Sequence, residues 1–302
     1  RRVENRYNGA VNHYFLCDRG RFGHGHVNSA ERPRTPLLRQ GDALVSATID
    51  TALTMAGEAL RHVRRIIGIG SPRASVEANF ALRELVGADN FSVGMADQEW
   101  RVVRKILDVL GSTTAEIPTL REMEERDAVF ILGEDVTQTA PRIALALRQA
   151  TKGKARALAA AKKAFVWQDE AIRNIGQQAR HPLIVTGVIA SRLADAASEL
   201  HRDTPEALAQ LGFAVAHAID AEAPAVALAP EQLERAQRIA ATLLAAERPL
   251  LVSGSSLGCE ALIDATANIA TALRRQGRAA AITLVVPEVN TLGVAMLGGV
   301  SV

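Results

Sequence analysis

The sequence is short of cysteine, of aromatic residues and of net charge, and each shortage excludes a class of protein. The 302 residues include only two cysteines, Cys17 and Cys259, which cannot build a disulfide framework and are typical of a reducing compartment. Aromatic residues make up 4% of the chain and the formal net charge is +2, which argues against nucleic-acid binding. The strongest apolar run, AAAITLVVP, has the length of a strand and is too short to span a bilayer.

Apolar strands and amphipathic helices alternate along most of the chain. Strand-like runs such as DAVFILGED, HPLIVTG and PLLVSG are separated by helix-like segments such as APRIALALRQATKG. This alternation predicts an α/β fold, with parallel sheets flanked by helices in two lobes. We expect residues 45–225 to form the first lobe and residues 226–302 a second, truncated lobe.

Residues 1–44 have a different character and show little helical periodicity. They are rich in Asn, Gly, Arg and His, and Asn8-Gly9 is a typical hairpin turn. We expect a small irregular tail with short strands here. Because the chain begins with Arg1 rather than methionine, we also expect a fragment or a processed chain.

Two finer predictions concern helix positions. Ser71 followed by Pro72 predicts that a helix begins there and stops at Gly87. The stretch ASRLADAASEL, which follows the strand HPLIVTG, predicts a further helix.

Several motifs point weakly to ligands and are better explained by structure. GIGSPRAS follows a strand and opens a helix, but it lacks the third glycine of a dinucleotide fingerprint. SGSSLGCE has the glycines of a phosphate-binding loop without its lysine. His24 and His26 lack nearby partners for a metal, so we interpret them as loop histidines. KGKARALAAAKK indicates a basic amphipathic helix with a solvated face.

One stretch is more specific than these motifs. RVENRYNGAVNHYFLCDRGRFG resembles the large iron–sulfur subunit (the G chain) of bacterial respiratory NADH:quinone oxidoreductase, complex I, within the molybdopterin oxidoreductase superfamily. The resemblance continues through IGSPRASVEANFALRELVG, GEDVTQTAPRIALALRQATKGKAR and LGFAVAHAIDAEAPAV, and so covers most of the chain. It implies that residues 1–44 are the C-terminal part of a [4Fe-4S] domain.

By this resemblance, Cys17 is the fourth ligand of a tetranuclear iron–sulfur cluster. The cationic Arg19 and Arg21, and backbone N–H groups left open by Gly20 and Gly23, would stabilise such an anionic centre. The family's three preceding cysteines would lie before Arg1. Since two cysteines cannot hold the cluster, we predict that these 302 residues bind none by themselves.

The superfamily's pterin site is expected to be empty in this chain. The loop GEDVTQTAPR carries Glu134 and Asp135, two carboxylates that would repel a pyrophosphate. The strand HPLIVTG ends without the family's Asp-Pro-Arg. The stretch NFSVGMADQEW contains no convincing metal ligand, because it lacks cysteine and Ser92 falls too early.

The resemblance implies electron transfer from NADH towards quinone, with this segment mainly a structural scaffold. We therefore name no catalytic and no cofactor-binding residue, and Cys17 is the single metal ligand. The implied partners are other subunits of the complex I peripheral arm, without nucleic acid or direct membrane insertion. The implied location is peripheral, on the cytoplasmic side of the inner membrane. Two alternatives stay open: an active molybdopterin oxidoreductase of the formate dehydrogenase type, and an α/β domain that binds no metal.

Overall fold

The computed structural model describes residues 2–302 and has an α/β architecture, as the sequence predicts. Its strands are β1 Leu37–Gln40, β2 Ala43–Ser46, β3 Gly68–Ile69, β4 Phe91–Ser92, β5 Ala128–Leu132, β6 Leu183–Gly187, β7 Glu199–Arg202, β8 Pro249–Gly254 and β9 Ala281–Val285. Its helices are α1 Asp18–Phe22, α2 Ile49–Arg61, α3 Val76–Val86, α4 Asp97–Ser112, α5 Leu120–Met123, α6 Val136–Thr139, α7 Pro141–Thr151, α8 Gly153–Ala161, α9 Asp169–Gly176, α10 Pro205–Ile219, α11 Pro230–Ala245, α12 Glu260–Arg275 and α13 Thr291–Leu297.

The main sheet has five parallel strands in the order β7-β6-β5-β8-β9. The central strand β5 is buried along its whole length, because alternate residues pack into cores on opposite faces of the sheet. Phe130 contributes to the core beneath α10, α11 and α12, while Val129 and Ile131 contribute to the core beneath α7. This double burial explains the continuous apolar run AVFIL.

A second, smaller parallel sheet is built from distant parts of the chain. Strand β3 pairs with β4, and Ser92 of β4 forms a further parallel bridge with Val300 near the C-terminus. Phe91 and Trp100 share a separate core with Val294 of α13. The strands on either side of the predicted boundary at residue 225 belong to the one five-stranded sheet, so that sheet does not divide there; the division into domains stays a prediction.

The segment ASRLADAASEL is not a helix, and the prediction was wrong there. Its residues form turns and then the edge strand β7. The hydroxyl of Ser198 exchanges hydrogen bonds with the backbone N–H and C=O of Leu183. Arg148 binds the carboxylate of Asp195 through two nitrogens at 2.8 Å. Such side-chain bonds compete with helical ones, and the strand pairing with β6 supplies the remaining backbone partners.

Helix α3 begins four residues later than predicted, with Ser75 as its N-cap. The hydroxyl of Ser75 accepts the N–H of Ala78 at 3.1 Å, while Ser71 lies in the preceding loop. The helix ends at Gly87 as predicted, and the positive φ of +82° at that residue favours glycine. Over residues 2–302, no helix combines the length and apolarity needed to cross a membrane.

Candidate functional site

Cys17 stands at the N-terminus of the short helix α1, with its sulfur facing the helix backbone. Its Sγ accepts the N–H of Gly20 at 3.4 Å, and its carbonyl accepts the N–H of Arg21 at 2.9 Å. Cys17 is half-buried, and no residue of α1 is fully buried. An N–H directed at sulfur stabilises negative charge on it, which is what a thiolate ligand of a metal centre requires.

Gly23 is required by a close backbone contact, and Gly20 by a weaker contact with a side chain. A Cβ at Gly23 would lie 2.4 Å from the carbonyl oxygen of Arg19, a backbone atom that cannot move aside easily. A Cβ at Gly20 would lie 2.9 Å from Leu16 and 3.7 Å from the sulfur of Cys17. The turn around the sulfur is therefore compact, and its charged neighbours Arg19 and Arg21 lie in the last turn of α1.

Two arginines, one in α5 and one in α7, bind the N-terminal tail in which Cys17 lies. Arg142 of α7 donates from Nε to the carbonyl of Val11 at 2.7 Å, and its guanidinium also pairs with Glu124 at 2.7 Å. Arg121 of α5 donates to the carbonyl of Gly9 at 3.2 Å. These bonds hold the turn between Asn8 and His13, which lies just before Cys17, against α5 and α7.

Other metal-ligating side chains do not gather around Cys17. Among residues 2–302, no three His, Cys, Asp or Glu side chains come together as a metal site. His26 lies in a short 3₁₀-helix, Gly25–Asn28, rather than in a loop, and its Nδ1 lies 3.2 Å from the carbonyl oxygen of Gly23. Cys259, the second cysteine, is the N-cap residue of α12. Among the described residues, Cys17 is therefore the one thiolate at this turn that could bind a cluster.

The second candidate region is the carboxyl edge of the main sheet, where the superfamily's pterin loops would lie. Glu134 follows β5 there and is 2% exposed. Its carboxylate accepts the hydroxyl of Thr139 at 2.7 Å and the backbone N–H of Ser256 at 3.3 Å. Burial raises the pKa of Glu134, and the neighbouring Asp135 raises this pKa further, while hydrogen bonds from Thr139 and Ser256 oppose the rise.

The carboxylate of Glu134 lies against the end of β8 and accepts a backbone N–H from the loop that follows it. A Cβ at Gly254, the last residue of β8, would lie 2.3 Å from Glu134 Oε2, so the carboxylate reaches the neighbouring strand. The N–H of Ser256, in the loop after β8, is directed at this carboxylate. A cavity of about 210 Å³ remains beside it, lined mainly by the ends of β5 and β6 and by Leu257.

Asp135 is held in place by hydroxyl groups. Its Oδ1 accepts the hydroxyl of Thr137 at 2.7 Å and the hydroxyl of Ser191 at 3.2 Å. Ser191 lies in the turns that follow β6, where a helix was predicted. The two carboxylates of the GEDVTQTAPR loop therefore belong to an internal hydrogen-bond network, and both line the remaining cavity.

The loop after β3, which the resemblance predicts to be the first pterin loop, is held by the buried side chain of Asn79. Asn79 is 2% exposed; its amide accepts the N–H of Ser71 at 2.8 Å and donates to the carbonyls of Ser71 and Ser75. A Cβ at Gly70 would lie 2.5 Å from the Asn79 oxygen. Ser92, whose hydroxyl falls too early in the sequence for the superfamily's metal ligand, is buried in β4 and accepts the N–H of Gly94 at 3.2 Å.

The raised pKa of Glu134 predicts a pH-dependent effect of Glu134→Gln. The folded state holds the proton of this group more tightly than the unfolded chain does. The wild-type stability contributed by this group is therefore fully present below the ordinary glutamate pKa of 4.5 and is lost as pH rises through the raised value. Since glutamine does not titrate, the variant should gain free energy of unfolding relative to wild type from pH 4 to pH 7.

Urea unfolding at several pH values measures this difference. Glu77→Gln is the matched control, because hydrogen bonds from its own backbone N–H and from Ser75 lower the pKa of Glu77. The control should lose stability relative to wild type as pH rises. A Glu134→Gln difference that is constant over this pH range would contradict the raised pKa.

Sequence reasoning found some of these residues and missed others. Cys17, Glu134 and Asp135 were singled out from the sequence, and the structure places the two acidic residues together at the sheet edge. The structure does not bring Cys17 and Cys259 into a common group of metal ligands. Arg121 and Arg142 had no sequence signal, because their partners are backbone carbonyls in a distant segment.

Comparisons with known proteins bear on this arrangement. No family model matches the chain. In fold, the chain is similar to a chain of the formyltransferase/hydrolase complex of Methylorubrum extorquens, solved with methylofuran, with a TM-score of 0.53 and 18% identity. That likeness covers 83% of this chain and 61% of the other, and at this identity it shows the fold alone.

Much closer similarity is found to curated sequences. The chain is 54% identical to the G subunit of NADH-quinone oxidoreductase from Pseudomonas fluorescens and 56% identical to that from Pseudomonas putida, over 100% of this chain in each case. It is 51% identical to the G subunit from Escherichia coli K12 over 99% of this chain. The chain spans about a third, 33%, of the length of these relatives. Along essentially all of its length, the chain is therefore a homologue of one third of the G subunits of NADH-quinone oxidoreductase.

Proposed function

We propose that this chain is part of the iron–sulfur subunit of a respiratory NADH:quinone oxidoreductase. The observation that carries the proposal is the 51–56% identity to G subunits of that enzyme along essentially the whole chain. In the proposal, the assembled enzyme transfers electrons from NADH towards quinone. The described residues act mainly as a scaffold, and none of them takes part in the hydride chemistry.

In the proposal, Cys17 is one ligand of a [4Fe-4S] cluster. A cluster of this kind takes four thiolates, so the other three come from polypeptide outside these 302 residues. The Gly20 N–H directed at Sγ and the compact turn at Gly23 support the role of Cys17. When bound, the cluster supplies a one-electron carrier, and Arg19 and Arg21 favour its negative charge. Arg142 and Arg121 hold the tail that contains Cys17 against helices α7 and α5.

The proposal includes a pterin site that has lost its cofactor. The buried Glu134 and the neighbouring Asp135 would face a pyrophosphate with like charge, at a cost of about 1 kcal/mol or more at short range. The Ser256 N–H is committed to Glu134, and Asn79 closes the first loop. These residues do not fit a pterin dinucleotide, so no step of the function involves one.

The proposed partners are other subunits of the peripheral arm of the complex. The proposed location is peripheral, on the cytoplasmic side of the inner membrane. Both rest on the similarity of the chain to G subunits of NADH-quinone oxidoreductase.

Deleting the gene for the full-length protein tests the proposed function. Membranes from the deletion strain should lose the NADH:quinone reductase activity of the complex, and a plasmid copy of the gene should restore it. Unchanged activity in the deletion strain would contradict the proposal. Any single-subunit NADH dehydrogenase of the strain is deleted beforehand, so that the assay measures only the multisubunit enzyme.

A further inference from the structure

The connection between α8 and α9 exposes an apolar surface that the proposed function does not use. Phe165, Val166 and Trp167 are consecutive and are 63%, 81% and 78% exposed. The rings of Phe165 and Trp167 are stacked, with centroids 6.1 Å apart and planes inclined by 8°. Large aromatic side chains displayed together on a surface are typical of the centre of a protein interface.

The backbone of this connection is fixed by its own hydrogen bonds. The N–H of Phe165 donates to the amide oxygen of Gln168 at 2.8 Å, and the N–H of Gln168 donates to the carbonyl of Phe165 at 2.9 Å. Lys163 adopts a φ of +61°, a conformation that non-glycine residues rarely adopt. The aromatic pair is therefore presented in a set position, which lowers the entropy lost on binding.

The two helices that carry the aromatic turn pack closely. A Cβ at Gly176 of α9 would lie 2.4 Å from the Cβ of Ala155 in α8. Because both residues are small, α8 and α9 pack closely, and this packing fixes the ends of the turn that joins them.

A basic cavity of about 540 Å³ lies beside the aromatic turn, between α7, α8 and α9. Val166 lines it together with four cationic side chains and one carboxylate, namely Lys152, Arg156, Arg173, Arg180 and Asp169. Within residues 2–302, Asp169 pairs with Arg173 at 2.7 Å, while the other three cations have no carboxylate within ion-pair distance. The whole chain has a formal net charge of only +2, so this surplus of positive charge is local.

We propose that this surface, defined by Phe165, Val166, Trp167 and the basic cavity, binds an acidic segment of a partner subunit. Carboxylates of that segment would pair with Lys152, Arg156 and Arg180, and an apolar side chain would cover the aromatic pair. Charge complementarity selects an acidic partner, and the exposed rings select one with an apolar anchor. The identification of the partner as a subunit rests on the proposed function; the charge and shape of the surface do not.

Photo-cross-linking in the assembled enzyme tests this inference. The amino acid p-benzoylphenylalanine is introduced at Val166 of the full-length protein, and at Val289, which is 85% exposed, as the control position. Irradiation should join position 166 to an acidic peptide of another subunit, identified by mass spectrometry, and position 289 should not give that product. The substitutions Trp167→Ala and Arg156→Glu should each lower the yield about tenfold or more, as expected for loss of an interface hot spot.

The outcomes separate this inference from the proposed function. Suppose that other subunits co-purify but position 166 gives no cross-link, or gives one to another part of the same chain, to a second copy, to a lipid or to a nucleic acid. In each of these cases this inference is wrong and the proposed function stands. If no subunit co-purifies with the full-length protein, both are contradicted. A cross-link to an acidic peptide that is insensitive to Arg156→Glu would overturn the role of the basic cavity.

Discussion

Replacing Gly94 with alanine should destabilise the protein by about 3 kcal/mol, combining the cost of a left-handed residue with that of overpacking. Gly94 follows β4 and has a φ of +70°. A Cβ at this position would lie 2.0 Å from the carbonyl oxygen of Gly70, which follows β3. Because the obstructing atom belongs to the backbone, relief requires the two strands of the small sheet to separate.

Gly111→Ala is the control for this substitution. Gly111 lies in α4, and a Cβ there would meet no atom within 4 Å. Alanine is a better helix former than glycine, so this variant should gain up to about 1 kcal/mol. Equilibrium urea unfolding of both variants measures the two effects. Equal stabilities for Gly94→Ala and wild type would show that the small sheet does not pack as described.

The small sheet matters because it connects to the loops at the edge of the main sheet. Gln98, just after Gly94, donates from its amide to the carbonyl of Gly258 at 3.0 Å. Gly258 itself has a φ of +63°, and a Cβ there would lie 2.6 Å from the Gln98 nitrogen. Disturbing Gly94 should therefore also disturb the SGSSLGCE loop that carries Ser256.

The elements that could be predicted from the sequence are those whose pattern is local. The runs AVFIL and PLLVSG become β5 and β8 because both faces of these strands are buried. Helix α10 begins at Pro205 and ends at Ile219, as its apolar spacing and the proline at its first position indicate. For ASRLADAASEL, the pattern was compatible with a helix, but contacts with β6 and Arg148 favour turns and a strand.

The arrangement of strands into sheets depends on distant contacts and could not be predicted. Val300 pairs with Ser92 across more than half the chain, and β8 inserts beside β5. No local spacing encodes such a pairing. This is why the sequence boundary at residue 225 falls between strands of one sheet.

The candidate site was predictable to the extent that chemistry follows from residue type. A cysteine in a turn with glycines and arginines suggested a metal ligand once the resemblance was recognised. The carboxylates of Glu134 and Asp135 suggested a site that repels anions. The sequence carried no sign that Arg142 binds the carbonyl of Val11, because any residue type supplies that acceptor. Nor did it show that Ser256 donates its N–H to Glu134.

The substitution Cys17→Ser in the full-length protein should remove one tetranuclear cluster. Serine keeps the size and N-cap capacity of the residue, so α1 should persist while the thiolate is lost. Iron and acid-labile sulfide should each fall by about four atoms per molecule, the content of one such cluster. The corresponding signal in electron paramagnetic resonance spectra should disappear.

Iron content in matched variants of the full-length protein is the most direct measurement of whether Cys17 is a cluster ligand. Cys259→Ser is the control, since Cys259 stands at the start of α12 and joins no group of metal ligands among residues 2–302. Cys17→Ser is expected to lose the cluster while Cys259→Ser keeps it. If Cys17→Ser retains wild-type iron and spectra, Cys17 is not a ligand and the proposed role of the tail is wrong.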